Sequence, residues 1–159
     1  MIAKRYLVAI ALGTCLLGLS APGSQKDPVA RPFKGYMEAR GVFTLGPDGA
    51  PVDYEARGGG NFTHLGRTTG HAVGYPTASG VFVIEATMIA ANGDQLFYET
   101  VFDPENPPTG EIPWTGGTGR FAGVTGGHTE DGEAVFTFDP VQGTLTVDVA
   151  VYCEGTLIY

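Results

Sequence analysis

Residues 144–153 read Thr-Leu-Thr-Val-Asp-Val-Ala-Val-Tyr-Cys. On an extended chain, Leu145, Val147, Val149, Val151 and Cys153 share one face, and Thr144, Thr146, Asp148, Ala150 and Tyr152 share the other. Ten residues of period-two alternation commit the segment to a strand with one buried and one wetter face. The preceding run 133–139 (EAVFTFD) supplies a partner. With Pro140 to Gly143 as a four-residue loop, Phe138 stands opposite Leu145, Phe136 opposite Val147, and Ala134 opposite Val149. Thr137 meets Thr146 on the other face. A slip of one residue would mismatch every pair, so the hairpin has one register. Cys153, on the apolar face, reads as a small buried hydrophobe rather than a reactive thiol.

The rest of the chain from residue 33 has the same character. No stretch of ten or more residues carries apolar spacing of three and four. Short runs of Val, Ile, Phe, Tyr and Thr are bounded instead by Gly, Pro, Asn and Asp. Asn92-Gly93, taken as a two-residue turn with positive φ at both positions, joins 81–91 to 94–102. That register sets Ile89 against Leu96, Thr87 against Tyr98, Glu85 against Thr100 and Val83 against Phe102. Earlier strands are expected at 34–45 and roughly 53–73, the latter interrupted at Gly58-Gly59-Gly60 by a bulge or corner. Gly46 to Gly49 is a turn, and Asp103 to Gly110 is a proline-rich loop. The expectation is all-β: about eight strands in a single closed antiparallel barrel of up-and-down order, which leaves no sheet edge exposed.

The N-terminus carries different information. Lys4 and Arg5 precede an uncharged apolar run of thirteen residues, Leu7 to Leu19. A span needs about 20 residues, so the run suits a secretory signal, with Gly18 and Ser20 at −3 and −1 of a cut after Ser20. A lipid anchor at Cys15 is disfavoured, because Thr14 precedes it and Leu16 and Leu17 follow. The expected organisation is a signal peptide at 1–20, a flexible lead at 21–32 and the barrel at 33–159, secreted or periplasmic and with no membrane attachment after cleavage. The whole chain has 9 basic and 17 acidic side chains, net −8. Losing Lys4 and Arg5 leaves 7 against 17, net −10, over 139 residues. With three lysines in the whole chain, that balance excludes a nucleic-acid binder, which needs basic groups to displace counterions. Cleavage also removes Cys15, so Cys153 has no intramolecular disulfide partner.

Residues 115–127 (TGGTGRFAGVTGG) concentrate the glycines. A Walker loop needs a lysine, and none occurs after Lys34. A dinucleotide fingerprint needs Gly-x-Gly-x-x-Gly opening a helix, whereas Gly117, Gly119 and Gly123 are spaced one residue too wide and strand-like sequence follows. The physical reading is a tight turn with glycines at positive φ, Phe121 as a plug and Arg120 as a solvated or paired charge. The run Gly116, Gly117, Thr118, Gly119, Arg120, Phe121, x, Gly123, x, x, Gly126 resembles the motif shared by the allene oxide cyclase barrels and the dirigent proteins. It is nearest to the bacterial exported proteins described as allene oxide cyclase barrel-like. Thr63 to Arg67, Ala91 to Leu96 and Glu154 to Tyr159 are similar to the same proteins, so the resemblance spans most of 33–159. It implies an eight-stranded calycin-type barrel with a central cavity and carries over no reaction or catalytic residue.

Candidate chemistry is sparse. Only Ser24 and Ser79 follow the signal, without a Gly-x-Ser-x-Gly elbow. The histidines offer no His-x-His or His-x-x-x-His spacing, so neither a metal nor a cofactor is expected. Glu85, Thr87, Tyr98 and Thr100 share one face in the register above. A carboxylate beside hydroxyls in an apolar wall would orient a ligand or act as a general acid; the plainer reading is an outward polar stripe. His64 with Arg67 is a second candidate, a cation pair for a ligand carboxylate or simply a rim network. The leading functional reading is a non-enzymatic exported barrel that binds a small apolar or amphipathic molecule or serves a structural role, with room for a homo-oligomer. Rivals are a cofactor-independent isomerase or cyclase and a protein-interaction module. A binder or enzyme calls for a cavity of roughly 300 Å³ or more, with Glu85, Tyr98 or His64 pointing inward.

Overall fold

The computed structural model describes residues 27–102 and 110–159; the expected signal peptide, the start of the expected lead and most of the proline-rich loop lie outside them. Eight strands follow one another: β1 (Ala30–Leu45), β2 (Pro51–Phe62), β3 (Gly66–Pro76), β4 (Phe82–Ile89), β5 (Gln95–Phe102), β6 (Ile112–Gly117), β7 (Thr125–Asp139) and β8 (Thr144–Ile158). Each pairs antiparallel with its sequence neighbour, and β8 returns to β1, closing the barrel. β1 begins at Ala30 rather than after a lead ending at 32. β8 runs on to Ile158, and its last residues supply ladder partners for Ala30, Arg31 and Pro32.

The β7–β8 hairpin has the register its alternation demands, with Phe138 opposite Leu145, Phe136 opposite Val147 and Thr137 opposite Thr146. The β4–β5 hairpin differs by one residue. Ala90 N–H donates to the Asp94 carbonyl at 2.8 Å and Gly93 N–H to the Ala90 carbonyl at 2.9 Å. Only Gly93 of the loop has positive φ, at 88°. The loop therefore has three residues, a type I turn closed by a left-handed glycine, not the two-residue turn that would need positive φ at Asn92 as well. Pro47-Asp48-Gly49 and Ala78-Ser79-Gly80 close the β1–β2 and β3–β4 hairpins with the same pair of backbone bonds.

Gly58-Gly59-Gly60 neither bulges nor turns. It lies inside a continuous β2, paired with Ala39, Glu38 and Met37 of β1. A side chain at Gly58 would meet the Glu38 carbonyl and Ala39, and one at Gly60 the Tyr36 carbonyl. Close approach of two strands is what these positions require. The reversal comes later, at Thr63-His64-Leu65, where His64 holds a φ of 65°.

The inward row fills the barrel in two layers. One holds Phe33, Phe62, Leu65, Leu96, Trp114, Phe121 and Leu157. The other holds Phe43, Tyr54, Phe82 and Val147. Burying each such side chain is worth about 1.5–3 kcal/mol. The glycine-rich segment seals the first layer. It forms a short 3₁₀ turn at Gly119–Phe121, with Gly116, Gly119, Gly123 and Gly126 all at positive φ. Phe121 is fully buried, and Arg120 pairs with Asp94 at 3.5 Å.

Closure between β6 and β7 is thin. Among the described residues, Ile112 pairs with His128 and Pro113 with Gly127, and β7 beyond His128 has β8 alone as neighbour. The inward face of that outer segment is therefore open to solvent: Phe136 is 49% and Phe138 57% exposed.

Candidate functional site

Between the two aromatic layers the inward positions turn small. Ala39, Ala56, Gly58, Gly70, Ala72 and Ala86 meet around the barrel, with Ala39 opposite Gly58, Ala56 opposite Ala72, Gly58 opposite Gly70, and Ala72 opposite Ala86. Large side chains above and below cannot close over this belt. A cavity of about 140 Å³ remains, lined by the belt together with Met37, Tyr54, Ile84, Met88, Tyr98, Thr100, Glu130 and Val149. It is neither a filled core nor a pocket of 300 Å³.

Arg57, His71 and Thr87 also border the cavity, and a tighter polar cluster forms on its wall where Tyr98 meets Glu130. Glu130 follows the last β6–β7 pair by two residues on the same face as His128, and stands directly opposite Cys153. Its side chain is 29% exposed, at the seam where β7 loses β6. Tyr98 donates to Glu130 Oε1 at 3.4 Å. His128 is buried, with Nε2 3.2 Å from the same oxygen. Nδ1 of the same ring is buried without a hydrogen-bond partner among the described residues. Trp114 stacks on the imidazole at 4.4 Å between centroids and donates Nε1–H to the Thr156 carbonyl at 2.9 Å.

Burial sets the protonation of this cluster. It pushes the Cys153 thiol up to about 12, with the Glu130 charge adding to the shift. The same two causes raise Tyr54 to about 12 and hold Tyr98 well above the ordinary tyrosine range. At neutral pH Tyr98, Tyr54 and Cys153 are thus neutral groups around the Glu130 side chain. The arrangement can accept a hydrogen bond from an entering ligand, or take a proton from it.

The constellation Glu85, Thr87, Tyr98 and Thr100 divides. The one-residue shift puts Tyr98 opposite Ala86 and Thr100 opposite Ile84, on the inward row, and both line the cavity. Glu85 and Thr87 fall on the other row, opposite Glu99 and Phe97. Glu85 is exposed and accepts from Tyr75 Oη at 2.6 Å; Thr87 borders the cavity from that row. His64 sits in the β2–β3 turn and Arg67 opposite Asn61; both are exposed and outside the cavity lining. His128, just past the glycine-rich segment, is a strand residue of β7. Glu130 was visible in principle: continuing the β7–β8 register from Ala134–Val149 by two more inward pairs places it against Cys153.

No protein-family model matches the chain, and no curated protein matches it. Among solved structures it is similar to a pterocarpan synthase dirigent protein, at 13% identity and a TM-score of 0.44, over 95% of this chain and 98% of that one.

Proposed function

We propose that this protein is an exported barrel that binds a small, mostly apolar molecule bearing one hydrogen-bond donor, seated in the belt cavity with the donor at Glu130. The observation that carries the reading is the belt itself: six small inward residues leave a chamber whose lining includes one carboxylate, Glu130, and the hydroxyls of Tyr54 and Tyr98. A cavity of about 150 Å³ is known to accept benzene, so the volume suits a single ring or a short alkyl segment, with any further part of the ligand leaving at the seam beside Glu130. The motif resemblance to cavity-bearing allene oxide cyclase and dirigent barrels supports the same reading. Lys4, Arg5 and the run Leu7 to Leu19 support export, which N-terminal sequencing of protein recovered outside the cytoplasm tests.

Two probes test the site, p-cresol and toluene, equal in girth and differing in one hydroxyl. Trp114, the single tryptophan of the chain, reports occupancy through its stack on His128. Saturable quenching by p-cresol at 1:1, at least tenfold tighter than by toluene and reduced to toluene-like affinity in Glu130→Gln, is the expected result. Quenching that never saturates for either probe, or equal affinities in the wild-type protein, overturns the reading.

A further inference from the structure

The geometry points to a metal site: His128, Glu130 and Cys153 form a three-residue cradle for Zn²⁺, with its fourth position open to the cavity. We propose this independently of the organic ligand above. The three side chains offer one nitrogen, one oxygen and one sulfur, and these atoms lie within 4.8 Å of one another. The ladder builds the group. His128 and Glu130 are two apart on β7, so they share its inward face, and Cys153 is the cross-strand partner of Glu130 on β8.

Donor chemistry selects the ion. One thiolate, one imidazole and one carboxylate make a mixed set that a borderline-soft ion without geometric preference accepts. Three protein ligands with one open position is the pattern of zinc sites that bind a further molecule. Charge balances as well. Zn²⁺ takes the Glu130 carboxylate, a neutral imidazole lone pair and the Cys153 thiolate; the thiol proton is released, and the complex is neutral within the barrel wall. His128 Nε2 already lies 3.2 Å from Glu130 Oε1 on an imidazole that is 1% exposed, so a nitrogen and a carboxylate oxygen are brought together in the barrel wall.

Reduced full-length protein is titrated with Co²⁺ and then Zn²⁺. Expected are one ion per chain, a thiolate-to-cobalt charge-transfer band, release of one proton per ion in weak buffer, and displacement of Co²⁺ by Zn²⁺. Cys153→Ser abolishes the band, and Glu130→Gln, altered at a partly exposed side chain, weakens Zn²⁺ at least tenfold even should the buried cysteine variant fail to fold. Cys15→Ser and the double variant His64→Ala/His71→Ala leave binding unchanged. Absence of saturable 1:1 uptake, uptake without the band, or a band that survives Cys153→Ser or disappears with Cys15→Ser overturns the proposal. Neither probe molecule enters this experiment, so its failure leaves the cavity reading standing, and the converse holds.

Discussion

Ala86 stands directly opposite Tyr98 in the β4–β5 ladder. The alanine methyl is too short to cover the tyrosine, so the phenol ring crosses the barrel wall and brings its hydroxyl to Glu130 on β7. Ala86 thereby adds to the space of the cavity and opens the line of sight to its carboxylate. Ala86→Leu extends an isobutyl group into that space. The variant is expected to fold, because the added atoms enter an existing void, with a change in denaturation free energy inside the range of about 1–3 kcal/mol typical of overpacking. Binding of p-cresol should weaken at least tenfold. Urea denaturation and Trp114 quenching measure the two effects separately.

Alkaline pH should unfold the protein through its buried acids. The folded-state pKa of Cys153 is raised from 9.0 to about 12, so the unfolded chain ionises first. The stability that the neutral thiol contributes is complete below about pH 9 and is lost as pH climbs toward 12, with a slope of about 1.4 kcal/mol per pH unit. Tyr54, raised from 10.0 to about 12, adds to the loss only above pH 10. Denaturant midpoints followed from pH 8 to 11 should fall from pH 9 in the metal-free wild-type protein. In Cys153→Ala they should stay level until pH 10.

Tyr98→Phe separates the hydroxyl from the ring. The hydrogen bond it removes is long, at 3.4 Å, and Glu130 keeps access to water at the seam. Loss of stability should be under about 1 kcal/mol, whereas Tyr98→Ala, which empties a buried aromatic site, should cost about 3–5 kcal/mol. Thermal denaturation of the two variants gives the comparison.

The β7–β8 hairpin was legible from residues 133–153 because alternation and turn length there demanded the same pairing. The β4–β5 register was not legible from Asn92-Gly93. That dipeptide suits a two-residue turn, and the choice of three was made by φ at Asn92, which composition does not encode. The error carried Glu85 and Thr87 onto the same face as Tyr98 and Thr100. Glu130 and His128 lie on a strand whose sequence, Thr-Gly-Gly-His-Thr-Glu-Asp-Gly, is too polar and glycine-rich to read as one. β8 holds it in the sheet by pairing along its whole length, so tertiary pairing overrides local propensity there.

Two glycines should lose stability on substitution by alanine to very different extents. Gly93 has positive φ with nothing near its missing Cβ, so Gly93→Ala bears only the left-handed backbone cost of about 1–2 kcal/mol. Gly155 is different. A Cβ there would overlap the Gly127 carbonyl and lie 2.6 Å from His128 Cα, where, among the described residues, β6, β7 and β8 come together. The backbone has to move, so Gly155→Ala should cost about 3 kcal/mol or more and should displace His128 and Glu130. Urea midpoints rank the two variants. The p-cresol titration should find Gly93→Ala unchanged and Gly155→Ala, if folded, at least tenfold weaker.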